Sequence, residues 1–185
     1  MTDHHQRPGF QNVVVRTLLI AGLGCGLAPP LVADRAEPAI VRVRSSDPAL
    51  SALIERAAGH SATFQRLLTT IQGSNGIVYV EMGTCDHGLT ACLKIWMKTV
   101  GPNRYLRVYV DRRKIQTDVD VMGAMGHELQ HVVEALSESG VTDTVGLFNF
   151  FDRYASRDSG WFETTDAIHA GDKIHDELLA SERKR

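Results

Sequence analysis

Residues 117–136 read TDVDVMGAMGHELQHVVEAL, and this stretch decides the central helix of the predicted fold. Thr117 or Asp118 can cap the helix, and the carboxylates of Asp118 and Asp120 suit its first turn, where backbone N–H groups are unpaired. At about 100° per residue, the apolar side chains fall within about 100° of arc and form a core-facing stripe. They are Met122, Met125, Leu129, Val132, Val133 and Leu136. The pattern therefore predicts one long amphipathic helix.

The same stretch contains the HExxH pattern, with His127, Glu128 and His131 at its defining positions. Histidines four residues apart lie on one side of a helix, one turn apart, so both rings can bind one metal ion. The glutamate beside the first histidine can take a proton from a water activated by that metal. Both histidines lie opposite the apolar stripe, either in solvent or in a cleft against another element. We predict that they bind Zn²⁺ and that Glu128 is the catalytic base; ordinary surface histidines are the alternative.

A catalytic zinc site needs a third protein ligand and an open position, and two glutamates are candidates. Glu163 is expected near the start of the last helix, on its apolar side, where a buried carboxylate needs a partner or a metal. It could instead be an exposed acid favoured by the helix dipole. On the same helical count, His169 and His175 point away from that side. Glu134 lies one turn beyond His131 and is an alternative ligand, a partner that accepts a hydrogen bond from a ligand histidine or a nearby arginine, or an ordinary surface glutamate.

The rest of the chain predicts an α+β fold, because a strand, helices, a sheet and further helices follow one another without βαβ alternation. Asp47-Pro48 and Ser61 are typical helix starts. Gly101-Pro102-Asn103 is a strong turn between two strands, which favours a small antiparallel meander. The predicted strands cover 39–44, 77–82, 91–100 and 105–111, and the remaining helices cover 48–57, 61–71, 144–154 and 161–180.

The N-terminal residues 1–33 have the basic, apolar and small-residue regions of a secretory signal peptide. Their apolar run is shorter than the about 20 residues that span a bilayer, so no stable membrane span is expected after signal removal. Lipid anchoring at Cys25 is not favoured, because Gly22 stands where a lipoprotein signal carries a larger aliphatic residue. The sequence predicts an exported protein, periplasmic or extracellular, with residues 34–185 as its single domain.

Two cysteines remain in the predicted domain, Cys85 and Cys92. An oxidising compartment favours a structural disulfide between them. The formal net charge of −2 gives no electrostatic reason to expect a nucleic acid as a partner. The expected partner is a peptide or protein substrate, and the sequence leaves the oligomeric state open.

These residues together resemble the gluzincin class of zinc metallopeptidases, in which HExxH supplies two histidines and the base and a glutamate on a later helix completes the site. The matching residues here are His127, Glu128, His131 and Glu163. The resemblance covers about residues 117–180 and implies a minimal zincin-like domain. The metzincin subclass does not fit, because it needs glycine and histidine where Glu134 and Ser137 stand. The chain also resembles small exported bacterial proteins that carry a HELQH helix and a later Phe-Glu-Thr segment, here Phe162-Glu163-Thr164.

The resemblance implies a secreted zinc-dependent metallopeptidase that hydrolyses peptide bonds by a zinc-activated water. By analogy, the substrate would lie extended beside the strand at 105–110. Tyr154 and His169 are candidate donors to the oxyanion. Candidates for a side-chain pocket, if they are not core residues, are Trp96, Trp161 and Phe162. The alternatives are a non-catalytic zinc-binding exported protein, a zinc hydrolase of a cell-wall peptide or amide, and an interaction domain without metal.

Overall fold

Helices and a mixed sheet share one hydrophobic core, which confirms the predicted α+β class. The structure, a computed structural model, describes residues 41–113, 117–154 and 162–184. The strands in these ranges are β1 (Val43–Arg44), β2 (Gly76–Met82), β3 (Ala91–Val100) and β4 (Asn103–Val110). The helices are α1 (Pro48–His60), α2 (Ala62–Gln72), α3 (Asp118–Ser137), α4 (Thr144–Tyr154) and α5 (Thr165–Glu182).

The helices begin at the capping residues that the sequence indicates. The Asp47 carboxylate accepts hydrogen bonds from two backbone N–H groups at the start of α1, and Pro48 occupies the first helical position. The Ser61 hydroxyl accepts from Phe64 N–H at the start of α2. Thr117 forms a complete capping box with Asp120 at the start of α3. Local hydrogen bonding therefore sets these three boundaries.

The sheet order is β1-β2-β4-β3, so the predicted antiparallel meander is wrong in one respect. β3 and β4 form the antiparallel hairpin expected from the turn after Val100, but β2 pairs with β4 in parallel. The reason is burial: Leu106, Val108 and Val110 of β4 are fully buried, and that strand needs a neighbour on each side. The chain between β2 and β3 therefore crosses the end of β4 and leaves β3 at the edge of the sheet.

The α3 helix lies in the centre of the molecule and is buried around most of its circumference. Its predicted apolar stripe faces the core, with Val133 the only one of the six that is partly exposed. The opposite side packs closely against α5, because Gly123 and Gly171 bring the two backbones together. A Cβ at Gly171 would lie 3.1 Å from the Cβ of His127. This close packing places α5 and the segment before it beside the two histidines.

The buried side chain of Arg104 connects β4 to the end of α3. Its guanidinium donates hydrogen bonds to four backbone carbonyls at and after the last turn of the helix, those of Ala135, Leu136, Glu138 and Val141. Its Nε also donates to the side chain of Asn75 at 2.8 Å. These carbonyls have no partner within the helix, and the positive charge also favours the negative end of the helix dipole. Arg104 thereby fixes the C-terminal end of the helix that carries HExxH.

Replacing Arg104 with methionine should lower the free energy of unfolding by about 3 kcal/mol, because it leaves several buried carbonyls without donors. Chemical denaturation of the two proteins measures the difference. Arg107→Met is the matched control, since Arg107 lies on the same strand but points to the other face and is exposed. It should cost less than about 1 kcal/mol. Equal losses in both variants would show that the carbonyl contacts of Arg104 contribute little.

Several sequence predictions lie outside the described residues, namely the signal peptide 1–33, Cys25 and Trp161. In the part of the chain that is described, no helix has both the length and the apolar character needed to cross a bilayer. The predicted disulfide is present between Cys85 and Cys92, with a Cα–Cα distance of 5.8 Å. A disulfide is consistent with an oxidising compartment.

Candidate metal centre

The two histidines of HExxH lie in a cleft rather than on a solvated helix surface. Only 4% of His131 is exposed, and its ring packs edge-on against Phe151 of α4 at a centroid distance of 5.3 Å. The His127 ring lies 4.9 Å from that of His131. The cleft is bounded by α3, β3, α4 and the segment that leads into α5. The structure thus decides between the two alternatives that the helical pattern left open.

Glu163 lies beside these histidines, but it is not a helical residue. The α5 helix begins at Thr165, and Thr164 is its N-cap, with its hydroxyl accepting a hydrogen bond from Ala167 N–H at 3.1 Å. Glu163 therefore has extended backbone just before the helix, where the sequence had predicted the first helical turn. Its position departs from the gluzincin pattern, in which the third ligand is part of a later helix.

Candidate ligand atoms of His127, His131 and Glu163 all lie within 4.8 Å of one another. Ligands of a tetrahedral zinc ion lie about 3.3 Å apart, given metal–ligand distances near 2.0–2.1 Å. The 3.1 Å between His127 Nε2 and Glu163 Oε2 is close to that spacing. Small side-chain rotations would bring the most widely separated pair of candidate ligand atoms to this spacing. Two imidazoles and one carboxylate also form the donor set of many catalytic zinc sites.

One atom of this triad has an unsatisfied hydrogen-bonding capacity. Glu163 Oε2 is buried, yet it accepts no hydrogen bond from any residue that the structure describes. It lies near His127 Nε2 without the alignment of a hydrogen bond. A buried carboxylate oxygen without a donor is costly, and a cation at this position would satisfy it. The triad could therefore hold a metal ion.

Glu134 contacts His131 on the side away from the triad. Its Oε2 lies 3.1 Å from His131 Nδ1, and its Oε1 accepts a hydrogen bond from the Thr164 hydroxyl at 2.8 Å. Because a carboxylate can only accept, Nδ1 carries the proton and Nε2 keeps its lone pair for a metal. Of the three roles the sequence left open for Glu134, this geometry matches the hydrogen-bonding one. It also links α3 to the segment that carries Glu163.

Glu134→Gln should weaken zinc binding by at least about tenfold, because the amide orients the His131 ring less strongly and removes a charge that raises its basicity. Competition with a chromophoric chelator measures the dissociation constant. Glu138→Gln, an exposed position just after the same helix, is the control and should bind zinc as the unmodified protein does. Unchanged zinc affinity in Glu134→Gln would show that the contact between Glu134 and His131 does not contribute to zinc binding.

Glu128 is buried beside the triad and is held by the edge strand. Only 8% of the residue is exposed, and Leu93 N–H of β3 donates to its Oε2 at 2.6 Å. Burial raises the pKa of the Glu128 carboxyl, although the imidazoles of His131 and His127 oppose that rise. A carboxylate with a raised pKa is a better proton acceptor near neutral pH. Since Glu128 does not belong to the triad, it is free to act as a base.

The other ionisable groups of the site shift one another's pKa values. The imidazole of His127 holds the pKa of Glu163 below its usual range. Burial of the His127 ring disfavours its protonation, but the carboxylates of Glu163, Glu128 and Glu134 outweigh burial and raise its pKa. Three carboxylates thus surround two imidazoles, and this excess of negative charge favours a cation at the centre.

Two cavities meet at this site, and both are lined by Leu89, Glu128 and Glu163. The first cavity, of about 380 Å³, extends along β3 toward Lys94 and Ile95. The second cavity, of about 520 Å³, extends between α3 and α5. Cavities of this size accommodate small ligands or short peptide segments. Glu128 and one carboxylate of the triad, that of Glu163, therefore lie where the two cavities join.

The disulfide closes the loop that forms a wall of both cavities. Leu89 lies within this loop, and Leu93, whose N–H holds Glu128, follows it directly. Cys85 N–H donates to the buried carboxylate of Asp111, which also pairs with Arg113. The side-chain hydrogen bond from Arg113 holds the pKa of Asp111 well below its usual range, so that anchor is ionised. The loop is thereby fixed at both ends next to Glu128.

The structure does not bring the two candidate oxyanion donors to the site. Tyr154 is 64% exposed at the end of α4, and His169 is exposed on α5; neither lines a cavity. The helical count directed His175 away from Glu163. In the structure His175 lines the second cavity, and its Nε2 lies 3.3 Å from Asp120 Oδ1. The count treated Glu163 as part of the helix, but the helix begins at Thr165, so the count does not give the direction of His175 relative to Glu163.

The strand expected to lie beside a substrate has no free edge. β4, which covers the predicted 105–110 stretch, is paired on both sides, whereas β3 is an edge strand of the sheet that the described residues form. Of the candidate pocket residues, Phe162 lines the first cavity. Trp96 is exposed and packs under Arg107, so it belongs to neither cavity.

None of the protein-family models, curated proteins or solved structures gives a significant match to this chain.

Proposed function

We propose that this protein is a zinc-dependent metallopeptidase whose zinc ligands are His127, His131 and Glu163. The observation that carries the proposal is the position of Glu128. Its carboxylate is buried, held by Leu93 N–H at 2.6 Å, and lies beside a triad that it does not join. A structural metal site needs no such base, whereas hydrolysis does. The resemblance to gluzincins supports the same assignment.

In the proposed reaction, the chain supplies a base, a fixed geometry and a site partly closed to water. A bound zinc ion would polarise the peptide carbonyl and lower the pKa of a neighbouring water. Glu128 accepts a proton from that water as the water oxygen adds to the carbonyl carbon of the peptide bond. Glu128 then passes the proton to the amide nitrogen as the C–N bond breaks, which releases a carboxylate and an amine. Leu93 N–H keeps the carboxylate of Glu128 directed at the reacting water throughout.

The substrate backbone is proposed to extend along the edge of β3. Near Met97 that edge is closed, because Thr144 exchanges hydrogen bonds with the N–H and C=O of Met97. Between Leu93 and Met97 the regular pairing with β4 is interrupted, and Lys94 and Ile95 line the first cavity there. An extended peptide added to this part of the edge would pass Glu128 and the triad.

Hydrolysis of a peptide mixture by the purified, zinc-loaded protein tests the proposal. Mass spectrometry would identify new peptide termini. We expect cleavage that stops when a chelator removes the metal and returns when one equivalent of zinc is restored. Cleavage that persists in metal-free protein would contradict the proposal. Stoichiometric zinc without hydrolysis of any peptide would instead favour a non-catalytic zinc-binding protein, and hydrolysis confined to cell-wall peptides or other amides would redefine the substrate.

A further inference from the structure

The face of the sheet opposite the core carries a regular array of basic and aromatic side chains, here called the outer face. Strand register places Arg44 of β1 beside Tyr79 of β2, and Tyr79 beside Arg107 of β4. The Arg107 guanidinium lies 4.8 Å from the ring of Trp96 on β3. One row across all four strands therefore alternates a cation with an aromatic ring.

The neighbouring rows repeat this alternation. Lys94 Nζ lies 5.3 Å from the ring of Tyr109 in the row on one side. In the row on the other side, Lys98 stands opposite Tyr105 in the β3–β4 register. Tyr79, Tyr105 and Tyr109 are half-buried, while the cations beside them are half-exposed or exposed. The rings thus support the cationic groups and hold them toward solvent.

The outer face is strongly positive, whereas the chain as a whole carries a net charge of −2. Its cations are Arg44, Lys94, Lys98 and Arg107. Against them, the described part of the face has a single acid, Glu81, whose carboxylate lies 3.9 Å from Arg107. A local excess of positive charge on a protein of opposite net charge favours a partner rich in negative charge.

The ring geometry favours an acidic polypeptide over a nucleic acid. A single-stranded nucleic acid needs aromatic faces on which its bases can stack. Here the Arg44, Lys94 and Arg107 cations already cover the rings of Tyr79, Tyr109 and Trp96. Carboxylates need no free ring face, only exposed cations at spacings that an extended chain can match. Residues two apart on a strand are about 6.6 Å apart, which is also the spacing of alternate side chains in an extended peptide.

The outer face is also connected to the candidate site. Lys94 belongs to both, because it lies over Tyr109 on the outer face and lines the first cavity. We propose that the outer face binds an acidic segment of a protein substrate, which places an adjoining segment at the first cavity. The substrate part of this assignment rests on the proposed peptidase function, but the binding part does not.

Fluorescence anisotropy with a short labelled peptide of alternating glutamate and glycine tests the binding. The protein is metal-free wild type, so that no peptide is cut, and a glutamine-for-glutamate peptide is the neutral probe. Arg44→Glu combined with Arg107→Glu should weaken binding of the acidic peptide by more than about tenfold, since each reversal replaces an attraction with a repulsion. The neutral peptide should bind neither protein.

The control is Arg153→Glu combined with Lys173→Glu, which changes net charge equally. Arg153 likewise lies over a tyrosine ring, but on α4, away from the outer face. The control should retain acidic-peptide binding within about twofold. Equal weakening in both double variants, or no weakening in the outer-face variant, would overturn the proposal.

Two further measurements keep the test decisive. If the reversals prevent folding, as judged by circular dichroism, Lys98→Gln combined with Arg107→Gln replaces them, with the same direction of effect expected. A single-stranded oligonucleotide that binds the outer face more tightly than the acidic peptide would overturn the choice of partner. Because binding is measured without metal, its loss is distinguishable from a failure of the peptidase proposal, which concerns hydrolysis of a peptide mixture by the zinc-loaded protein.

Discussion

Glu128→Gln should lower the rate of peptide hydrolysis by about 10²- to 10⁴-fold while leaving bound zinc unchanged. Glutamine has nearly the same shape, and its carbonyl oxygen can still accept the hydrogen bond from Leu93 N–H. The amide cannot accept a proton from water, so only the base is lost. Glu128 is outside the triad, and the metal ligands therefore remain in place. Steady-state kinetics and elemental analysis of the same preparation measure the two quantities.

The two readouts together make this prediction specific. Glu138→Gln, an exposed position just after the same helix, serves as the control and should leave both rate and zinc content unchanged. A Glu128→Gln protein that retains its rate would remove Glu128 from the reaction. A variant that loses zinc as well as activity would instead make Glu128 part of the metal site.

Removing the metal should lower the thermal midpoint by about 8–16 °C relative to protein with zinc in large excess over its dissociation constant. Binding at about a thousandfold excess contributes about 4 kcal/mol, and each kcal/mol shifts the midpoint of a domain of this size by about 2–4 °C. The physical reason is that the ion joins α3 to the segment before α5 and neutralises a cluster of carboxylates. Calorimetry with and without chelator measures the shift.

Two histidine variants test whether this shift comes from the triad. His131→Ala should lose the dependence on zinc. His175→Ala should keep it, because His175 lines the second cavity but does not belong to the triad. A zinc-dependent shift of the thermal midpoint that is equally large in His131→Ala would show that zinc binds outside the triad. No shift in the unmodified protein would show that zinc does not bind to the folded protein. Magnesium should give no shift, since it prefers oxygen ligands in octahedral geometry.

Local chemistry explains which parts of the fold were predictable. Helix starts at Asp47, Ser61 and Thr117 depend on hydrogen bonds between residues a few positions apart, and the sequence identified all three. The turn after Val100 is equally local. Whether β2 pairs with β3 or with β4 depends on burial across the whole sheet, which no short segment encodes. That is why the antiparallel meander was predicted in place of a mixed sheet.

The candidate site also has a part that local spacing predicts and a part that it does not. His127, Glu128 and His131 are related by one helical turn, so their grouping followed from spacing alone. Glu163 was singled out correctly as a member of the triad, but for a helical position that it does not occupy. The Leu93 N–H that holds Glu128 left no signal in the sequence, because any residue supplies a backbone N–H.

The proposed function depends on the binding of one zinc ion by His127, His131 and Glu163. Elemental analysis of zinc per chain, on the unmodified protein and on His131→Ala and Glu163→Ala, tests it most directly. We expect about one zinc per chain in the unmodified protein and loss of zinc in both variants, as for a site with three protein ligands. No zinc in unmodified protein supplied with the metal would contradict the claim. Zinc retained in Glu163→Ala alone would show that another residue, with Glu134 the nearest carboxylate to His131, completes the site.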